Sequence, residues 1–201
     1  MKKLILFLLL AALPAAARAA VGCDLNDPDR DVARLFPGST GYKTRYLSIK
    51  GEGGQPLLER VEKRLGDRFK GLYETMDVPY TLYDIYRGKE IIGRIHGVNQ
   101  KGEYGGIQVF LALENTGAIK AFYIQKLTSR AAKDLRSQKF GAQFEGLALK
   151  DFEGYQPGKP ASPPLRLEAP AKAGKDFQAV LRAVKKNLIL MDEFVFSKKE
   201  K

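Results

Sequence analysis

Cysteine and histidine each occur once in the 201 residues of this chain. The single cysteine, Cys23, excludes an intramolecular disulfide. The single histidine, His96, excludes a histidine cluster around a transition metal. No nucleophile elbow, phosphate loop or dinucleotide fingerprint occurs. Asp84, Glu90 and Glu103 fall in or beside expected strands and turns, at no spacing that pairs them for acid–base work. Threonine is missing after Thr128, and serine between Ser162 and Ser197. These gaps leave no catalytic residue and no metal-ligand set to nominate.

What is present at the start is an address. Lys2-Lys3, the apolar run Leu4 to Ala17 and the small residues Ala17-Arg18-Ala19 form a secretory signal, and the run is too short for an ordinary membrane span. Cleavage is expected before Ala20. Loss of Lys2, Lys3 and Arg18 lowers the formal charge of +11 by three. The mature protein is therefore expected outside the cytoplasm, in the periplasm or cell envelope, where nucleic acid is not an expected partner. Val21-Gly22-Cys23 resembles a bacterial lipoprotein box, which makes Cys23 a lipidation candidate and the membrane surface a partner. Arg18 and Ala20 depart from that box, and free export stays open beside it. The remaining lysines and arginines are scattered as on a solvated surface, apart from the basic tail 197–201.

The middle of the chain is organised around KGEYGGIQVFLALENTGAIKAFYIQK, residues 101–126. Ile107 to Leu113 and Ala118 to Gln125 flank the turn Glu114-Asn115-Thr116-Gly117 and read as a β-hairpin. Nearly continuous apolar residues in both arms suggest central strands covered on both faces. A second hairpin, Tyr80 to Tyr86 and Ile91 to Val98, precedes it, and Tyr42 to Ile49 reads as a further strand. Helices are expected over Val32 to Phe36, from Pro56 to Leu65 with Gly66 as its stop, over Ser129 to Ser137 capped by Thr128 or Ser129, and from Asp176 to about Phe194. Residues 155–170, with five prolines, read as an irregular connection. The fold class is α+β: an antiparallel sheet of successive hairpins, flanked by helices, with the C-terminal helix packed on it. The expected division is a leader (1–19), a mature N-terminal segment (20–30), the α+β domain (31–196) and the tail.

The order TLYDIYRGKEIIGRIHGVNQKGEYGGIQVFLALENTGAIKAFYIQKLTS, then KFGAQFEGLAL and a final helix with AVLRAV, resembles the FMN-binding domain of bacterial membrane electron-transfer systems. That family occurs in peripheral subunits of ion-translocating NADH oxidoreductase complexes and in regulators of nitrous oxide respiration. The resemblance covers roughly Leu35 to Phe194. It implies FMN as cofactor and a membrane redox complex or cytochrome as partner. Its implied cofactor-binding residues are Tyr104, Gly105, Gly106, Thr128, Ser129, Arg130, Gly174 and Lys175.

In that family FMN is usually esterified through its phosphate to a threonine just before the final helix. Here Gly174 stands at the matching place, within Ala171-Lys172-Ala173-Gly174-Lys175-Asp176. Covalent FMN is therefore not expected. Two readings follow: an envelope electron-transfer accessory that holds FMN non-covalently, or a flavin-free binding or assembly module beside a membrane redox complex. Neither requires independent catalytic activity.

Overall fold

The computed structural model describes residues 22–159 and 165–198; the expected leader, part of the proline-rich connection and the last three tail residues lie outside the described residues. Alternating apolar side chains and tight turns give a five-stranded antiparallel meander in the order β1-β2-β3-β4-β5. The strands are β1 Gly41–Leu47, β2 Tyr80–Arg87, β3 Glu90–Lys101, β4 Gly106–Leu113 and β5 Ile119–Lys126. Gly88 and Gly117 supply the positive φ (59° and 83°) at the β2–β3 and β4–β5 turns.

Helix α1, Pro28–Leu35, begins earlier than expected because the Asp27 carboxylate accepts from Arg30 N at 3.2 Å and Pro28 fits the first turn. The strand after it stops at Leu47, since Ser48 caps a short helix, α2 (Ile49–Glu52). Helix α3, Gly54–Leu65, buries Leu57, Val61 and Leu65 and ends on Gly66 in the left-handed region. The single helix expected over Ser129 to Ser137 is instead two short ones, α4 (Ala132–Leu135) and α5 (Gln138–Ala142). Ser129 Oγ accepts from Ala131 N in a local turn, and Ser137 Oγ caps α5. The last long helix, α6, runs Gly174–Met191 and continues as a π-helical turn over Asp192–Phe196.

Both faces of the sheet are covered. On one, Leu82, Val98, Ile107, Val109, Leu111 and Ile124 pack with Val180, Leu181, Val184 and Leu188 of α6. On the other, Tyr83, Ile85, Ile95, Phe110 and Ala112 pack with Cys23, Leu25, Val32, Leu35 and Phe36. The expectation of a doubly covered central strand holds for β4. It fails for β5, which is an edge strand. Its apolar character comes from Phe122, whose ring stacks on Phe144 at 4.4 Å, and from Ile119 and Ile124 in the α6-side core.

Cys23, close after the expected cleavage site, is 1% exposed. Residues 22–26 cross the far face as a strap, tied to three strands by side-chain hydrogen bonds. Asn99 Nδ2 donates to Gly22 O (3.1 Å), Leu25 N to Tyr83 Oη (3.0 Å), Gln125 Nε2 to Asp24 O (2.9 Å), and Asn26 N to Gln125 Oε1 (2.7 Å). Space for the strap comes from β3. A Cβ on Gly97 would lie 2.8 Å from Cys23 O and 2.4 Å from the Phe110 ring, and one on Gly93 would lie 2.4 Å from the Phe36 ring. Gly97→Ala is therefore expected to lower stability by about 1–3 kcal/mol through overpacking. Urea denaturation measures the loss, and amide exchange at Leu25 should accelerate in the same variant. An unchanged midpoint with an unchanged Leu25 rate would contradict this account of the strap.

Candidate functional site

Helix α6 carries Arg182, Lys185, Lys186 and Asn187 at positions that are all buried against the domain. Burying these groups is costly unless each finds partners. Arg182 donates from Nη1 and Nη2 to Glu74 (2.6 and 3.2 Å), from Nη1 to Gln100 Oε1 (2.7 Å), from Nε to Asp67 (2.8 Å), and from Nη2 to Arg68 O (3.0 Å). Lys186, fully buried, gives its ammonium to the same Glu74 Oε1 (2.6 Å) and to Asn99 O (2.7 Å). Lys185 Nζ donates to Tyr155 O at 2.6 Å. One carboxylate from the irregular 66–79 segment thus holds two cations of the helix.

Burial tends to raise the Glu74 pKa, but the Lys186 and Arg182 charges and hydrogen bonds outweigh it and leave the carboxyl below its usual range. Burial drives Lys186 down to about 8 against the pull of Glu74. The ammonium therefore keeps its proton at neutral pH.

His96 sits beside this network. Asn187 Nδ2 donates to His96 O at 2.9 Å, which turns Asn187 Oδ1 toward the ring, 2.9 Å from Nδ1. Nδ1 is then the protonated nitrogen, and Nε2 is buried with no hydrogen-bond partner. Burial lowers the pKa to about 4, and the ring is neutral. Among the described residues no group of three or more His, Cys, Asp or Glu could hold a metal ion.

The residues nominated from the sequence converge at the end of the sheet where α6 begins. Gly102 to Gly105 is the β3–β4 turn, closed by Gly102 N donating to Gly105 O at 2.8 Å. A Cβ on Gly105 would lie 3.7 Å from Thr128, so this turn lies against the Thr128 to Arg130 segment. The Arg130 guanidinium sits 5.5 Å from the centroid of the half-exposed Tyr104 ring. Ser129 is engaged in its local turn. The room at Gly106 is filled by the protein itself, because a Cβ there would meet Tyr73 Oη at 2.7 Å. Lys175, Lys101 and Lys70, together with Asp67 and Glu103, line an adjoining cleft of about 330 Å³, floored by Glu74, Gln100 and Arg182.

The start of α6 does not fit a phosphoester. Gly174 has φ +42°, a left-handed conformation that penalises a β-branched residue such as threonine. Two residues on, Asp176 is 1% exposed, and its Oδ1 accepts from Glu103 N at 2.8 Å. A carboxylate therefore already occupies the first turn, where the helix dipole and free N–H groups would otherwise favour an anion. The neighbouring cleft is mixed in charge: Asp67 and Glu103 stand among its lysines, Lys70 Nζ lies 3.3 Å from Asp67 Oδ1, and its floor is a set of mutually paired charges.

Sequence reasoning missed Glu74, Arg182 and Lys186. The available signal was the pair Lys185-Lys186, with Arg182 one turn earlier, inside a helix otherwise rich in Val, Leu and Ile. Glu74 lay in a segment with no readable pattern.

Two outcomes follow. Glu74→Ala leaves two buried cations without their carboxylate and should cost about 3–5 kcal/mol in urea denaturation. For His96, the unfolded ring has a pKa near 6.5 and the folded ring about 4. Between those values the unfolded chain binds a proton that the folded chain does not. Stability should therefore fall as pH drops through this window, by about 3 kcal/mol in total. Denaturation across the window, with the ring followed by NMR, checks this; a folded-state imidazole titrating at its ordinary value contradicts it.

No family model matches this chain, and no curated protein matches it. Among solved structures, the crystal structure of Shewanella oneidensis NqrC is similar, with a TM-score of 0.55 over 87% of this chain and 89% of that one, at 12% sequence identity. The two chains share their fold.

Proposed function

We propose that this chain is an exported accessory of envelope electron transfer, built on the FMN-binding-domain fold but carrying no covalent FMN. The fold shared with NqrC and the sequence resemblance support the family reading. One observation carries the departure from it: the α6 start has a left-handed glycine where an acceptor hydroxyl would stand, and the buried Asp176 carboxylate fills the first turn. The best-supported role is a flavin-free binding or assembly module beside a membrane redox complex. Non-covalent FMN is the second reading, favoured by Lys101 and Lys175 of the cleft at Gly102 and Glu103, and opposed by the Asp67 and Glu103 carboxylates in the same lining. In that case Lys101 and Lys175 would face the phosphate, and flavin would supply the electron-carrying chemistry.

The visible spectrum of the purified protein, taken before and after denaturation, tests these readings. The expected protein is colourless and takes up no added FMN. Flavin released into the filtrate on denaturation would move the assignment to the second reading. Flavin retained on the denatured polypeptide would overturn the proposal.

The periplasmic placement carries its own prediction. Cys23 is packed in the far-face core, and its backbone lies against Gly97, which supports free export over a lipid anchor. Cys23→Ser should leave the protein's distribution between soluble and membrane fractions unchanged. Loss from the membrane fraction in that variant would restore the lipoprotein reading.

A further inference from the structure

At one end of the sheet β2 and β4 begin and β1, β3 and β5 finish. Joined to it there are the segment 66–79, the β3–β4 turn, residues 126–131 and the start of α6. The large apolar side chains exposed among the described residues are Leu72 (78%), Tyr46 (64%) and Tyr104 (46%), and all lie toward this end. Tyr46 stands opposite Thr81, one residue into β2. Exposed apolar groups gathered in one region mark an interaction surface.

Leu72 and Tyr104 belong to one patch. Tyr73, next to Leu72, lies against Gly106: a Cβ there would meet its Oη at 2.7 Å and its Cε2 at 3.6 Å. Tyr104 is two residues before Gly106, and Arg130 sits 5.5 Å from its ring centroid. Glu74 N donates to Gly71 O at 3.2 Å, a β-turn that puts Leu72 at its tip. The Glu74 side chain is bound by Arg182 and Lys186. The buried charge network thus holds an apolar tip out to solvent.

Basic residues surround the patch. Arg68, Lys70, Lys101, Lys126, Arg130 and Lys175 are exposed in these segments. Lys70 pairs with Asp67 at 3.3 Å; the others form no ion pair among the described residues. The carboxylates of the same segments are mostly engaged. Glu74 and Asp176 are buried on partners within the protein, and Asp67 is held by Arg182 at 2.8 Å. Asp77 and Glu103 stay exposed, so the cations dominate.

We infer that this end of the sheet docks on the surface of an anionic lipid bilayer. Leu72 and Tyr104 enter the headgroup region, and the surrounding lysines and arginines meet lipid phosphates. The leucine gains by leaving water, and the tyrosine keeps its hydroxyl at the polar boundary. The charge alone would also suit an acidic protein. The shape favours lipid: a side chain at a turn tip inserts into a fluid layer, whereas a protein partner must offer a matching pocket. This face rests on the reading of a module that works beside a membrane, and deepens it. Vesicle binding needs no flavin, so its outcome and that of the visible spectrum are separate results.

The test is sedimentation of the mature protein, residues 20–201, with vesicles of phosphatidylcholine alone or mixed equally with phosphatidylglycerol. Binding is expected only to the mixed vesicles, and should fall as salt is raised. Lys126→Glu should weaken it about fivefold or more. Lys89→Glu, in the β2–β3 turn at the opposite end of the sheet, should leave it unchanged. Leu72→Ser should weaken it about tenfold, with an unchanged urea midpoint showing that the fold is intact. Equal binding to neutral vesicles, binding to neither, equal effects of Lys126→Glu and Lys89→Glu, or undiminished binding of Leu72→Ser would each overturn the proposal. So would binding to isolated envelope membranes that protease treatment abolishes, which would assign the face to a membrane protein.

Discussion

The packing of α6 onto the sheet depends on one carboxylate. Glu74 binds Arg182 and Lys186 together, within an interface otherwise built of Val, Leu and Ile. Two cations brought out of water would oppose docking of the helix; the shared carboxylate, Asp67, and the carbonyls of Arg68 and Asn99 offset that cost. The arrangement also fixes position. A greasy helix can slide or rotate on a greasy sheet, whereas Arg182 reaches Gln100 of β3 and the 66–79 segment in a single register. The helix start, the β3–β4 turn and the cleft between them inherit their placement from this.

The opposite face of the sheet is closed by different means. A strap of five residues is held by amide and hydroxyl groups from β2, β3 and β5, and Gly93 and Gly97 let it and Phe36 lie close to the strands. The sheet is thereby covered on both sides with few long elements. The rim that carries Tyr104 and Arg130 stays at the surface.

At that end the protein's own groups fill much of the space between the β3–β4 turn, the Thr128 segment and the α6 start. The turn at Gly102 to Gly105 lies beside the Thr128 segment and the α6 start. Asp176 now binds the Glu103 amide, and Tyr73 fills the space that Gly106 leaves. Residues of the protein take up donor and space that a ligand could otherwise use, and a shared fold does not by itself fix a shared ligand.

The apolar runs of β2 to β5, the glycine-bearing turns and the amphipathic α3 were legible from local chemistry, and with them the α+β class. So was the want of a hydroxyl near Gly174, since composition alone states it. Three things were decided only by the folded chain. Arg182 and Lys186 look solvated in a helical pattern because their partner, Glu74, is more than a hundred residues away in an irregular segment. The burial of Cys23 was not legible because the glycine that receives its strap, Gly97, lies far along the chain on β3. The left-handed backbone of Gly174 and the burial of Asp176 follow from how α6 meets the β3–β4 turn. Periodicity records which face of an element is apolar; which charged groups share the interior is settled by long-range partners that alone offset their desolvation.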